Sequence, residues 1–312
     1  MKKFYKIVNP AGHHGLVYKD GYNEDILPFN PSGDCTPGGI YFASRDILAF
    51  LGYGTEVYEV EPIGEVCENP GNPPKYKAHA VNLKYIGKTS DINIIKTLID
   101  NGANVHADDD AALRWAADNG YTDIVKLLID AGADVHAQDD LALRWAAERG
   151  HADVVKMLLD AGADVHADDD EALRWSAFYG RVEVVKLLID AGADVHADND
   201  TALYWAAENG HYEVVKLLIE SGANVHAKND LALRLAARYG HYEVVKLLID
   251  SGANVHANDD EALIWTAENG HTKVAKLLVA SWSNVHAGNK NALKFAARRC
   301  RTNVAKLLEA VK

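Results

Sequence analysis

Histidine recurs along this chain every 30 residues, at His106, His136, His166, His196, His226, His256 and His286, each time after a valine. A second, partial series runs through His151, His211, His241 and His271. Imidazole titrates near neutrality and binds metals, so such ladders raise metal binding or pH sensing. Carboxylate runs, Asp108-Asp109-Asp110 and Asp168-Asp169-Asp170, raise calcium. An aromatic row, Trp115, Trp145, Trp175, Trp205 and Trp265, raises stacking on a partner.

Each ladder also has a structural explanation. Layers stacked about 10 Å apart cannot bring two histidines onto one zinc, where Zn–N is about 2.1 Å. The histidines therefore read as structural groups that bond nearby backbone. The aspartate runs lack the twelve-residue loop of a calcium site and read as helix caps and solvated charge. Asp110 is placed to cap the helix that follows it, as are Asp140, Asp170, Asp200, Asp230 and Asp260. On a helical wheel Trp115 sits about 160° from Leu113. The tryptophans thus either wedge between neighbouring units or line a groove, and Arg114, Arg144, Arg174 and Arg234 flank them within stacking reach. No metal and no cofactor is expected.

The elements that position these rows follow from the unit itself. Leu113, Ala116, Ala117 and Gly120 share one face of a first short helix, which Gly120 ends. Ile124, Val125, Leu128 and Ile129 face inward on a second helix, with Asp123, Lys126 and Asp130 outward. Gly132 closes that helix in the left-handed conformation. Second helices begin near Ile94, Ile124, Val154, Val184, Val214, Val244, Val274 and Val304, giving about eight helix pairs. A period of this length means an array in which each unit buries its apolar face only against its neighbours.

The run Gly210-His-Tyr-Glu-Val-Val-Lys-Leu-Leu-Ile-Glu-Ser-Gly-Ala-Asn-Val225 resembles the consensus of the ankyrin repeat. The resemblance covers residues 82–312, with a degenerate opening helix at Leu83-Lys84-Tyr85-Ile86-Gly87. The family's Thr-Pro-Leu-His is replaced by Glu171-Ala-Leu-Arg174 or Thr201-Ala-Leu-Tyr204. The unit is also shorter than the usual 33 residues. The loss lies between Ala107 and Ala112, so the family's projecting β-hairpin should be blunted and binding should shift to the inner helices. Short repeats without proline are similar to those of giant DNA viruses. The resemblance implies a protein–protein interaction scaffold with a concave helical surface, and no catalysis.

Differences between copies point to the contact residues. The pair before each helix-ending glycine varies freely: Asp118-Asn119, Glu148-Arg149, Phe178-Tyr179, Glu208-Asn209, Arg238-Tyr239 and Glu268-Asn269. Aromatic and arginine side chains dominate interface hot spots. Phe178, Tyr179, Arg238, Tyr239 and Arg149, with Trp175 and Trp205 beside them, are therefore the candidate partner-binding residues. Residues 91–312 carry 23 Lys+Arg and 35 Asp+Glu, a net of −12, against −1 for residues 1–90. That charge disfavours nucleic acid and anionic membranes and favours a protein partner with a basic patch. A monomer is expected.

Residues 1–81 differ in character and contain all 8 prolines. Tyr41–Ala43, Val57–Val60 and Tyr76–Leu83 read as strands and Arg45–Leu51 as a short helix, giving a small α+β domain before an all-α solenoid over 82–312. The order His14, Tyr41, Glu59 or Glu61 is similar to the His…Tyr…Glu order of ADP-ribosyltransferases, which implies NAD chemistry with the array selecting the substrate. A further alternative is a ubiquitin-ligase adaptor, although the chain ends inside its last repeat, leaving no room for a ligase-binding box. Cys35, Cys67 and Cys300 match no metal spacing, and no apolar run follows the initial lysines. An intracellular protein, in the host cytoplasm, is expected.

Overall fold

The computed structural model describes residues 2–11, 16–25, 27, 39–69, 71, 73–281, 292, 294, 298–299 and 301–309. His14, Cys35, Trp282, His286 and Cys300 lie outside them. The chain divides into two compact units, Met1–Ala146 with Lys156–Ala163, and Ala147–Val155 with Asp164–Lys312.

The first unit opens with five antiparallel strands: β1 (Phe4–Val8), β2 (Gly21–Glu24), β3 (Ile40–Phe42), β4 (Glu56–Asn69) and β5 (Lys75–Lys88). Their order is β1-β4-β5-β2, and β3 pairs with β5 as well. The sheet nearly closes on itself: Tyr5 and Ala43 exchange both backbone hydrogen bonds at 2.8 Å, joining β1 to the end of β3. Alternation along the strands turns Val8, Ile40, Phe42, Tyr58, Val60 and Tyr76 into one core, with the ring of Phe4 edge-on to Phe42 at 5.2 Å.

The three strands expected from the sequence correspond to β3, which ends one residue earlier at Phe42, and to parts of β4 and β5, and the short helix is a 3-10 helix over Ile47–Tyr53. Two expectations change. Leu83–Gly87 is not a degenerate helix but part of β5, in register with β4 through Val60↔Leu83, Glu59↔Lys84 and Tyr58↔Tyr85. The 81/82 division therefore falls inside a strand, and the first helix, α1 (Ile92–Asp100), starts only after it. Pairing with a long neighbour overrides weak local preference here. Asp91 caps α1 by accepting from the Asn93 amide at 2.9 Å.

The sheet packs on the first repeat through its 3-10 helix. The Asn104 amide donates to Arg45 O at 2.6 Å and its side chain to Asp46 Oδ1 at 3.1 Å. The ring of Trp115 approaches Gly52 closely enough that an added Cβ would sit 3.5 Å from it.

Helix pairs follow: α2 (Ala107–Asp118) with α3 (Thr122–Asp130), α4 (Ala137–Arg149) with α5 (Ala152–Asp160), and α6 (Ala167–Phe178) with α7 (Val182–Asp190). Next come α8 (Ala197–Glu208) with α9 (Tyr212–Glu220), α10 (Ala227–Tyr239) with α11 (Tyr242–Asp250), and α12 (Ala257–Asn269) with α13 (Thr272–Ala280). A last helix, α14 (Thr302–Glu309), matches the second-helix position, so all eight second helices are present. Leu113, Ala116, Ala117, Ile124, Val125 and Leu128 are buried as their spacing predicts, and each large aliphatic side chain contributes about 1.5–3 kcal/mol. Lys126 and Asp130 pair at 2.9 Å on the solvent side.

Candidate partner-binding face

Between consecutive repeats, where a hairpin finger was expected to be blunted, no strand occurs among the described residues. Each of α2, α4, α6, α8, α10 and α12 instead begins with three successive residues at positive φ. Asp108, Asp109 and Asp110 have φ of 55°, 52° and 58°, and the same triplet recurs through Asn258, Asp259 and Asp260. This is a single left-handed turn. It costs roughly 1–2 kcal/mol per ordinary residue, and Asn and Asp tolerate it best. Thirteen of these eighteen positions hold Asp, and the other five, Gln138, Asn199, Lys228, Asn229 and Asn258, are also polar.

The third aspartate of each turn does not cap its own helix, contrary to the sequence expectation. Its carboxylate is buried, and in four of the six turns it is seen to reach forward into the next loop. Asp170 Oδ1 accepts from the Asp194 amide at 2.8 Å, Asp200 from Asn224 at 2.7 Å, and Asp230 from Asn254 at 2.7 Å. In the first unit Asp110 accepts from Asp134 at 2.9 Å. From His106 to His256 the histidine of each Val-His pair contacts the same carboxylate: His106 Nδ1 lies 3.2 Å from Asp110, and His196 Nδ1 lies 3.1 Å from Asp200. The first histidine ladder is thus a row of His–Asp pairs. Among the described residues no group of three or more His, Cys, Asp or Glu is placed to hold a metal.

The arginines flanking the tryptophans hold the turn. Arg174 Nε donates to Asp169 O at 3.0 Å and Nη2 to Asp168 O at 2.8 Å. Arg114 and Arg234 repeat the grip, and Arg144 makes a looser one. Arg234 also lies over a tryptophan, 5.9 Å from the centre of Trp265. In α8 Tyr204 stands at the arginine position. There the Thr201 hydroxyl donates to the Asp198 carboxylate at 2.7 Å and holds its pKa below the ordinary carboxylate value.

The second histidine series bonds backbone of the preceding repeat. His211, His241 and His271 place Nε2 at 2.9, 2.8 and 3.0 Å from the carbonyls of Phe178, Glu208 and Arg238. Arg181, at the same position, donates from Nε to Glu148 O at 3.1 Å. The rings press against the helix-ending glycines: a Cβ on Gly210 (φ +76°) would stand 2.5 Å from His241 Nδ1.

Four of the seven candidate residues come together. In the second unit the rings of Trp175 and Trp205 lie 5.1 Å apart, Phe178 is 5.5 Å from Trp175 and 5.6 Å from Trp205, and Tyr179 stacks on Trp175 at 5.9 Å. Trp175 and Trp205 therefore pack against each other across adjacent repeats and remain half-exposed. Tyr179 is 41% exposed, with the Arg181 guanidinium 5.8 Å from its ring. Arg238 and Tyr239 form a second cluster: the Arg238 guanidinium lies 5.6 Å from Tyr239 and 5.0 Å from Trp265. Arg149 instead faces Glu148 at 3.9 Å. The sequence pattern did not single out Arg181 or Glu171, which accepts from Trp175 Nε1 at 3.0 Å. The signal for Arg181 was its replacement of histidine in the register of the repeat.

Of the residues similar to the ADP-ribosyltransferase order, His14 lies outside the described residues. Tyr41 on β3 and Glu59 on β4 lie on opposite sides of β5. The Lys77 ammonium covers the Tyr41 ring at 5.0 Å, and Asn82 donates to Glu61 at 3.3 Å. No helix among the described residues is long and apolar enough to cross a membrane.

Comparison with known proteins bears on the array. A family model described as Ankyrin repeats (3 copies) matches residues 83–169, 143–229, 173–259 and 233–310. A putative ankyrin repeat protein of Acanthamoeba polyphaga mimivirus is 34% identical over 137 residues, 38% of this chain and 45% of the relative. An uncharacterized protein of the same virus is 33% identical over 132 residues, 39% of this chain and 93% of the relative. The chain thus spans less than half the length of one relative and nearly all of the other. Among solved structures, the ankyrin repeat domain of human ASB11 superposes with a TM-score of 0.57 at 27% identity, covering 64% of this chain and 97% of that one.

Proposed function

Because the chain belongs to the ankyrin repeat family, we propose that its array displays a preformed face to a protein partner and carries no catalytic activity of its own. The observation that supports this reading most is the ring cluster of Trp175, Phe178, Tyr179 and Trp205. It is half-exposed, and it arises where otherwise uniform copies differ. Residues already locked by neighbours lose little freedom on binding, so a rigid surface keeps more of its contact energy as affinity. The net −12 of residues 91–312 favours a partner with a basic patch, mainly through faster encounter.

The N-terminal sheet acts in this reading as a cap on the first repeat, whose Trp115 and Asn104 it covers. A terminal repeat needs such cover to remain soluble. The protein works as a monomer, without nucleic acid, membrane or cofactor.

Affinity capture from host lysate with wild type, Phe178→Ala and Tyr239→Ala tests the face. Loss of the same partner from either variant, with helicity unchanged, supports it; an unchanged partner list in both sinks it. Labelled NAD incubated with wild type, Glu59→Ala and Glu61→Ala tests the absence of catalysis. Turnover that disappears in either variant would overturn it.

A further inference from the structure

Three glutamates occupy the same register on the inner helices of the second unit: Glu148, Glu208 and Glu268. Glu148 faces Arg149 at 3.9 Å, and Glu268 receives Arg299 from beyond its own repeat at 2.9 Å. Among the described residues Glu208 alone of the three has no cationic partner. Its neighbours in the row explain why. Phe178, one repeat earlier, is aromatic, and Arg238, one repeat later, is turned onto Tyr239 and Trp265.

Glu208 is half-buried, one helical turn after Trp205 and on the same helix face. The Trp205 ring touches Phe178 and Trp175, so a carboxylate without a counter-ion borders a platform of three rings. A partly desolvated anion gains from any cation that reaches it, and ring faces attract cations too. The surroundings add to the pull: residues 164–281 hold 20 Asp+Glu and 10 Lys+Arg, a net of 10 − 20 = −10. A guanidinium meets both demands, since it forks onto a carboxylate and lies flat on an aromatic ring. The molecule already shows the pairing, in Arg299 on Glu268.

Resting on the protein-interaction reading above, we propose that Glu208, Trp205 and Phe178 form a seat for an arginine side chain of the partner. The arginine enters from an extended segment. Inner helices packed 8–10 Å apart present one register position per repeat, about the span of three extended residues. The neighbouring Tyr179 and Tyr239 then flank positions three residues away on either side.

The test uses the full chain and N-acetyl-arginine amide, followed through the Trp175 and Trp205 indole N–H signals by NMR. The citrulline and lysine amides serve as comparisons. Saturable shifts with arginine amide, at least about five-fold weaker binding by citrulline and lysine amides, and a similar loss in Glu208→Gln are expected. Glu268→Gln, where Arg299 already fills the place, should bind as wild type does. Equal responses to arginine and citrulline, or unchanged binding by Glu208→Gln, would overturn the seat. So would a lysine response as strong as that of arginine. The two readings fail separately: if Phe178→Ala abolishes capture of the partner while Glu208→Gln changes neither assay, only the arginine seat falls.

Discussion

Replacing Asp200 by alanine removes one acceptor from a buried junction, and the structure sets the size of the loss. Asp200 is 5% exposed and accepts from the Asn224 amide at 2.7 Å, with His196 Nδ1 at 3.1 Å. Alanine leaves a buried N–H unpaired, which costs about 1–3 kcal/mol. It must also occupy φ 59° without a side chain that bonds locally, at about 1 kcal/mol more. The sum is about 2–4 kcal/mol. Asparagine keeps both the acceptor and the tolerance of positive φ. It loses only the charge assistance, about 1 kcal/mol. Because repeat arrays couple mainly through nearest neighbours, the damage should centre on the α8–α10 junction. Guanidinium unfolding gives the total, and native-state hydrogen exchange at the Asn224 amide gives the site. An Asp200→Ala protein within about 0.5 kcal/mol of Asp200→Asn, the usual scatter of a neutral surface change, or unaltered exchange at Asn224, would refute a buried acceptor role for Asp200.

Gly210→Ala should destabilise the protein more than Gly222→Ala by at least about 1 kcal/mol. Both have positive φ, but only at Gly210 would the new Cβ strike His241, whereas nothing lies within 4 Å at Gly222; differential denaturation of the pair checks this. Arg174→Met, which frees two carbonyls of a left-handed turn, should cost about 1–3 kcal/mol and speed proteolysis between Asp168 and Asp170. Burial pushes the Lys6 amine down from 10.5 to about 8. The unfolded chain then holds a proton that the folded one has released, so stability rises with pH above 8. Beyond pH 10 the buried phenols of Tyr18 and Tyr58, pushed up to about 12, act in the opposite direction. A pH series between 8 and 10 should show the rise in wild type and a flatter profile in Lys6→Met.

The helix pairs were legible because burial at Leu113, Ala116, Val125 and Leu128 follows helical spacing, copy after copy. The strand over Leu83–Gly87 was not, because its conformation is set by β4, more than twenty residues away in sequence. The aspartate runs announced a special loop but not its hand. Asp favours caps and left-handed turns alike, and the carbonyl grip by Arg174 and its equivalents, present in four of the six turns, is visible only in the fold. The site was partly legible for the same reason. Variation at Phe178 and Tyr179 marked the face, whereas the isolation of Glu208 depends on where Arg238 and Arg299 point.

The forward reach of Asp110, Asp170, Asp200 and Asp230 has a consequence for how such a chain changes length. At each of these junctions the same carboxylate meets the same loop amide, 24 residues ahead. Duplicating or deleting a 30-residue block therefore recreates a junction the protein already contains, with its buried donor and acceptor still matched. Gene duplication can lengthen the array in whole steps without inventing a new interface, while a step of any other size breaks the match at once. Selection on partner binding then works on two levels, the number of blocks and the few inner-helix residues that each block leaves free to vary.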